Sequence, residues 1–360
     1  MSDILFTGFP GFLGSALLPL VLARRPGQRA VCLVQEHFRD QAQDRLDELT
    51  LQHPDIEGRV DLVTGDITEP GLGIDPAIIA DLSEVFHLAA VYDLAVSEEI
   101  AHRVNVTGTQ NVVAACNQAP DFRRLNYVST CYVSGGHHGV YTESDLDTGQ
   151  PFANHYEHTK FEAERIVWDA MAEGLPATVY RPGIVVGDSK TGETQKYDGP
   201  YFVLQFLMKQ PGSHVVVPQV ADPDRIQFSL VPRDFVVEAI DHLSAMPDAV
   251  GKTYALTDPD APTVRVMVDE FCRLLGKSPH WVRVPLRLTT ALVGLPGVEF
   301  LLGFPQEALP YFAHPTIYDT SEATRDLARV DLACPPFKEY AETMVEFVKA
   351  HPDVPSAAMV

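Results

Sequence analysis

A tyrosine and a lysine stand four positions apart in the segment NHYEHTKFEAERIV, residues 154–167. Neighbours at i and i+4 share one face of a helix, so a helical run here points Tyr156 and Lys160 the same way. A phenol titrating near 10 exchanges protons poorly at neutral pH. A nearby ammonium favours the phenolate, and Lys160 is expected to bring Tyr156 towards the working range. Thr130, closing the apolar run in RLNYVSTCYV, adds a second hydroxyl, with Ser129 as the alternative if that run ends one residue earlier. Asn105, opening NVTGT, is placed to fix a water or the lysine. This set is suited to donating a proton and hydrogen bonds to a developing oxyanion.

A second constellation lies at the start of the chain. Thr7-Gly8-Phe9-Pro10-Gly11-Phe12-Leu13-Gly14 places a glycine at every third position between the apolar run DILFTG and the helical spacing of FLGSALLPLVLAR. Glycine there permits a tight turn, close approach of backbone to a pyrophosphate, and close helix–strand packing, while the helix N-terminus offers unpaired N–H groups. In its strand–turn–helix context the motif reads as a dinucleotide site. A carboxylate directly after the second strand would hold a ribose 2′-hydroxyl and select NAD. Here Val34 is followed by the neutral Gln35, then Glu36, His37, Phe38 and Arg39, with Arg24 and Arg25 as further basic groups. The balance favours NADP(H), with NAD(H) as the alternative and Glu36 as the dissenting residue. Asp66, in VTGD, is expected near the adenine, and HLAA, residues 87–90, ends a strand with small side chains against which a cofactor can lie. His87 reads as a satisfied core histidine, and His137 and His138 as loop residues, so no metal site is expected.

Strands alternating with helices must position these groups. DILFTG, AVCLVQ, RVDLVTGD, EVFHLAA, RLNYVSTCYV and ATVYRPGIVVG read as buried strands, separated by helical spacing in FLGSALLPLVLAR, RDQAQDRLDELTL and NVTGTQNVVAACNQA. That alternation implies an α/β fold, a Rossmann-type doubly wound parallel sheet with helices on both faces. Residues 1–187 are expected to form the dinucleotide-binding domain, with 226–258 returning to it. Residues 188–225 are loop-rich, and 259–360, helical and Pro-punctuated from about Ala261, complete a smaller, mostly helical substrate-binding cap.

Composition bounds the partners. The chain has 360 residues, 46% of them hydrophobic, with 49 acidic against 27 basic groups and a formal charge of −22. That balance argues against nucleic acid and anionic membrane as partners. The five cysteines lack CxxC spacing, the start MSDILFTGFPG lacks a basic region followed by an apolar run, and no repeat is visible. The uncharged stretch Leu288–Val298 is too short to span a bilayer, so a cytoplasmic protein is expected. The wider apolar segment Leu286–Phe304 reads either as a core helix of the cap or as a lid walling an acyl channel.

The chain is identified as resembling the extended short-chain dehydrogenase/reductase family along essentially its whole length. TGFPGFLG matches the family's TGxxGxxG, HLAA its fourth-strand end, YEHTK its YxxxK and RPG its sixth-strand end. The resemblance implies a catalytic set of Thr130, Tyr156, Lys160 and Asn105. It also implies cofactor contacts at Gly8, Phe9, Pro10, Gly11, Phe12, Leu13, Gly14, Gln35, Arg39, Asp66, Ile67, Leu88, Ala89 and Ala90, then at Tyr156, Lys160, Pro182, Gly183 and Ile184. RPGIVVGDSKTGE, YDGPYF, CLVQEHFRDQAQDRLDEL and GDITEPGLGID are similar to the thioester reductase and fatty acyl reductase branch, where CLVR is frequent and Gln35 stands in place of the arginine. The branch implies reduction of an acyl thioester or a derived aldehyde, and family members are often dimers. A ketone or alcohol dehydrogenase, a nucleotide-sugar epimerase or dehydratase, and a non-catalytic nucleotide sensor are the alternatives. The sugar enzymes need a clustered basic site for a diphosphate, and a sensor would be expected to have lost Tyr156 or Lys160.

Overall fold

The computed structural model describes residues 3–92, 96–284 and 306–355. Its first elements are β1 (Asp3–Thr7), α1 (Phe12–Arg24), β2 (Arg29–Val34), α2 (Arg39–Gln52), β3 (Val60–Thr64), α3 (Pro76–Ala80) and β4 (Leu82–His87). Next come α4 (Glu98–Ala101), a π-helical stretch at His102–Thr107, α5 (Gly108–Gln118), β5 (Arg124–Val128), a 3-10 turn at Cys131–Ser134 and β6 (Gly139–Tyr141). They lead to α6 (His155–Ala172), β7 (Ala177–Pro182), β8 (Ile184–Val186), α7 (Pro200–Lys209), β9 (His214–Gln219), β10 (Leu230–Pro232), α8 (Arg233–Ala245) and β11 (Thr253–Leu256). The chain continues through α9 (Val264–Leu274), β12 (Ser278–Arg283), β13 (Thr316–Tyr318), α10 (Ser321–Leu327) and α11 (Phe337–Ala350).

The apolar runs become parallel strands because side chains on both of their faces need cover, which only flanking helices supply. Seven strands form one parallel sheet in the order β11-β7-β5-β4-β1-β2-β3. On one face α1 and α8 bury Leu17, Leu18, Val21, Val236 and Ile240, joined by Ala323 and Leu327 of α10. On the other, α5 and α6 bury Val112, Cys116, Ala163 and Val167. A further apolar cluster joins Tyr201 and Leu204 of α7, Val215 of β9, and the inner faces of α9 and α11. The strand order reverses beside β1, so the crevice above the carboxyl ends of β1 and β4 is where a sheet of this kind takes a ligand.

The local departures from the expected elements have physical causes. RLNYVSTCYV is a strand only to Val128, after which Cys131–Ser134 coil into a 3-10 turn. ATVYRPGIVVG is two strands, because the chain turns at Gly183 and β8 leaves the sheet to pair with β10. A Cβ at Gly183 would lie 2.3 Å from the Ser229 carbonyl oxygen, so a side chain would push these backbones apart. The loop-rich stretch 188–225 contains α7, which Pro200 opens at a first-turn position where the missing N–H costs nothing, and β9. Beyond residue 259, in addition to helices, β12 pairs with β9 and β13 pairs with β6. No helix among the described residues is long and apolar enough to cross a membrane. The expected core helix or lid at 286–304 lies outside the described residues.

Candidate active site

The glycine turn joins the ends of β1 and β4. Gly8 has φ of +88°, and a Cβ there would lie 2.8 Å from Ala89 N, so this position must be bare for the two strand ends to meet. Leu88 N donates to the Thr7 carbonyl at 3.2 Å and Ala89 N to the Thr7 hydroxyl at 3.1 Å, while Ala90 follows half-buried. Gly11 N donates to Gly8 O at 3.0 Å, and a Cβ on Gly14 would sit 2.5 Å from that same oxygen. Phe9 is buried, Pro10 O accepts from Ser15 Oγ at 2.8 Å, the Arg233 guanidinium lies 5.0 Å from the Phe12 ring centroid, and Leu13 packs on the core. No side chain caps α1 and its first turn has no acidic residue, which leaves its terminal N–H groups for an anion. The residues present fit the pyrophosphate of a dinucleotide.

The adenine end is more mixed. Gln35 Nε2 donates to Asp66 Oδ2 at 2.7 Å, and Asp66 Oδ1 accepts from Thr68 N at 2.8 Å. Burial pushes the Asp66 carboxyl up, but these bonds together with the Arg103 charge outweigh it and leave the group below the usual aspartate range. Arg39, exposed at the start of α2, donates to Leu62 O and Thr64 Oγ1, both at 3.2 Å, and Thr64 in turn donates to Glu36 Oε2 at 3.1 Å. Cation and carboxylate therefore stand together at the ends of β2 and β3. Ile67 is buried, and its carbonyl accepts from Asn111 Nδ2 at 2.8 Å. Arg24 and Arg25 do not belong here. They end α1, about 20 Å from its first turn at 1.5 Å per residue, and bind Asp241 at 2.6 Å and Glu84 at 2.9 Å.

Tyr156 and Lys160 lie in the first turns of α6, which Asn154 opens by accepting from Glu157 N at 2.9 Å. Thr130 begins the 3-10 turn with its Oγ1 accepting from Tyr132 N at 3.2 Å, and its hydroxyl lies near enough to the Tyr156 phenol to lower its proton affinity. Ser129 points the other way, donating from Oγ to Glu164 Oε2 at 2.5 Å. Glu164 is fully buried and accepts from Arg181 Nε at 2.9 Å and Nη2 at 2.6 Å. Thr130 is thus the hydroxyl beside Tyr156, and Ser129 is part of the support behind it. Pro182, Gly183 and Ile184 stand at the same carboxyl edge, with Gly183 N donating to Leu256 O at 3.1 Å and Ile184 N to Ser229 O at 2.8 Å.

One expected role is corrected. Lys160 does not bring the Tyr156 phenol down. Burial pushes it above its ordinary value, opposed by the Thr130 hydroxyl and reinforced by the charges of Glu157 and Asp198. The reason is where the ammonium is held: Lys160 Nζ donates to Tyr127 Oη at 3.1 Å and to Val128 O at 2.9 Å. Burial lowers Lys160 itself to about 8, with Glu164 opposing. Asn105 lies within the π-helical stretch. Its Oδ1 accepts from Val91 N at 2.9 Å, and its Nδ2 donates to Val91 O at 3.3 Å and Thr159 Oγ1 at 3.0 Å, tying the end of β4 to α6.

His87 is the satisfied core histidine that its context suggests, with Nδ1 2.7 Å from Thr7 Oγ1 and Nε2 3.1 Å from Thr109 Oγ1. Burial first, then the Lys160 charge, lower it to about 3 and keep it neutral. His137 lies in the loop, 3.1 Å from Thr148 Oγ1. Sequence reasoning missed Tyr127, Glu164, Arg181, and the cluster of Tyr92, Lys196 and Asp198 beside Tyr156. The Tyr92 ring meets Tyr156 edge-on at 5.0 Å, Lys196 Nζ lies 4.8 Å from the Tyr92 centroid, and Lys196 pairs with Asp198 at 3.3 Å. Glu164 had a signal, since it repeats the four-residue spacing one turn beyond Lys160. That cluster had none, because it joins segments about a hundred residues apart along the chain.

The chain is 30% identical over 271 residues to a nonribosomal peptide synthetase of Aspergillus campestris, a match covering 70% of this chain and 25% of that protein. It is 25% identical over 281 residues to a fatty acyl-CoA reductase of Drosophila melanogaster, covering 66% of this chain and 53% of that one. The chain therefore spans about a quarter of the first relative's length and about half of the second's. Its fold matches the crystal structure of the terminal R domain from the myxalamid PKS-NRPS biosynthetic pathway, with a TM-score of 0.82, 25% identity, and coverage of 99% of this chain and 92% of that one. The profile of the NAD-binding male sterility protein family matches residues 6–240, and the chain belongs to that family, within the extended short-chain dehydrogenases/reductases.

Proposed function

We propose that this protein is an NADPH-dependent reductase, with NADH as the alternative cofactor, acting on the carbonyl of an acyl thioester or of a derived aldehyde. The observation that carries this reading is the meeting of the Thr130 and Tyr156 hydroxyls at the carboxyl edge of the sheet, on the helix that also buries Lys160. When bound, the nicotinamide supplies hydride. Proton handling and charge stabilisation fall to the chain's own side chains. Burial keeps Tyr156 protonated at neutral pH, so its phenol is a donor. Together with Thr130 it hydrogen-bonds the developing oxyanion, each such donor contributing about 3–4 kcal/mol to lowering the barrier. From a thioester, the hemithioacetal then collapses to aldehyde and thiol. With an aldehyde, Tyr156 Oη gives its proton to the alkoxide, leaving a phenolate on the helix that also carries the Lys160 ammonium.

The relatives, a nonribosomal peptide synthetase and a fatty acyl-CoA reductase, support the thioester over a nucleotide sugar. The pairing of Lys196 with Asp198, beside the Tyr92 ring that meets Tyr156, also counts against a diphosphate. The neutral Gln35 and the exposed Arg39 support NADPH. In this reading Gly8–Gly14, Gln35, Arg39, Asp66, Ile67, Leu88–Ala90 and Pro182–Ile184 line the cofactor. Residues 1–187 with 226–258 carry it, and 188–225 with 259–360 cover the substrate. A cytoplasmic enzyme with a small-molecule acyl or carbonyl substrate, dimeric as its family often is, completes the proposal. The test is consumption of reduced cofactor with acyl-CoAs, carrier-bound acyl thioesters, aldehydes, ketones and UDP-sugars. Turnover of thioesters or aldehydes is expected; conversion of a UDP-sugar without net cofactor consumption would refute the reading.

A further inference from the structure

Two of the three N–H donors of Lys160 have visible partners, Tyr127 Oη and Val128 O. Tyr127 is fully buried on β5, and its ring centroid is 4.7 Å from the ammonium, so both its hydroxyl and its π-face serve the charge. A phenol that accepts from an ammonium must send its own hydrogen elsewhere, and the hydroxyls of Thr109 and Ser129 stand beside it. From Thr109 the contacts run through His87 to Thr7, the residue before Gly8. From Ser129 they run to Glu164 and Arg181.

We infer that Tyr127 is a positioning residue of the site, holding the Lys160 ammonium on the Tyr156 face of α6 and tying it to the glycine turn. The inference rests on the reading of Tyr156 and Lys160 given above. A buried ammonium left with one neutral carbonyl tends to shed its proton, since desolvation disfavours the charged form. The titratable and charged groups near it are the neutral His87 from β4, Tyr127 from β5, Arg181 from β7 across Glu164, and Tyr156 and Glu164 from α6 itself. Glu164 is already engaged by Arg181, which leaves the Tyr127 oxygen as the side-chain acceptor within hydrogen-bond distance of Nζ among the described residues.

Tyr127→Phe keeps the ring and removes the oxygen. It is expected to move the basic limb of the kcat profile down by about one pH unit, as loss of a hydrogen bond to a charged group implies, with KM changing less than kcat. In a Lys160→Met background the same substitution should cause no further loss of turnover, because its effect passes through the lysine. If Tyr127→Phe does not fold, 3-fluorotyrosine at position 127 keeps the shape and weakens the acceptor, and it should move the limb the same way by less. An unmoved limb in every variant that folds, or an additive loss in the Lys160→Met background, overturns the inference. If Lys160→Met alone keeps full turnover, the reading of the site itself fails. If Lys160→Met is inactive while the Tyr127 variants match wild type, only the role of Tyr127 falls.

Discussion

Replacing Tyr156 by Phe isolates one oxygen atom. The side chain is 7% exposed and its ring packs edge-on against Tyr92, contacts that Phe keeps. The lost interaction is at most one neutral hydrogen bond with the neighbouring Thr130 hydroxyl, and such a bond contributes about 0.5–1.5 kcal/mol to stability. A fold of this size should tolerate that with a melting temperature lower by only a few degrees. Turnover should respond far more. Burial holds the phenol above its ordinary range, so at neutral pH it is a full donor, and losing one oxyanion donor costs roughly 10²–10³ in kcat. Losing the proton source adds to that where the product is an alcohol, with general acid catalysis contributing about 10²–10⁴. The assay is single-turnover oxidation of the reduced cofactor with the best substrate, beside cofactor binding by fluorescence. The expected result is a dissociation constant within about threefold of wild type and kcat lower by at least about a hundredfold. A variant keeping more than a tenth of wild-type kcat would refute the role assigned to Tyr156.

Glu164→Gln leaves the buried Arg181 charge without its partner, so unfolding in urea should show about 3–5 kcal/mol of lost stability. The double variant Glu164→Gln, Arg181→Leu should lose less than the sum of the two single changes. Gly11→Val puts a Cβ 2.8 Å from the Gly8 carbonyl and crowds the N-terminus of α1; cofactor affinity should fall by about tenfold or more while the chain stays folded, and an unchanged dissociation constant would make the turn purely structural. Titration with both reduced cofactors should show tighter NADPH binding, and Arg39→Ala should weaken NADPH and spare NADH; tighter NADH in the wild type would point to Glu36 as the ribose ligand. Lys160 lies below its ordinary value, so it is charged at pH 7 and loses its proton as pH rises through about 8. The kcat profile should therefore fall on the basic side near that pH, and Lys160→Arg, which stays charged, should remove that limb.

What could be read in advance follows from the range of the interactions involved. The glycine turn, β1 to β5 and the pairing of Tyr156 with Lys160 on α6 are set by neighbours close in sequence, and apolar runs and i,i+4 spacing report such neighbours directly. Thr130 was legible for the same reason, since alternation beyond Val128 turns Ser129 towards Glu164 and its neighbour towards Tyr156. The protonation of the site was not legible, because it depends on burial and on partners from distant strands. The expectation that Lys160 would acidify Tyr156 treated the two as an isolated pair in water. In the fold the ammonium is committed to Tyr127 and Val128, 33 and 32 residues earlier, and both groups are desolvated. Desolvation disfavours whichever form carries charge, and so it raises a phenol and lowers an amine at once. Phenol and amine, close in proton affinity when free in water, are thereby driven apart: the phenol keeps its proton and the amine gives its own up more readily. The result is a neutral phenol, held as a donor, one turn from a lysine that sheds its proton near pH 8. It arises from placing both residues on the inner face of α6, where helical spacing alone puts them and the sheet excludes water.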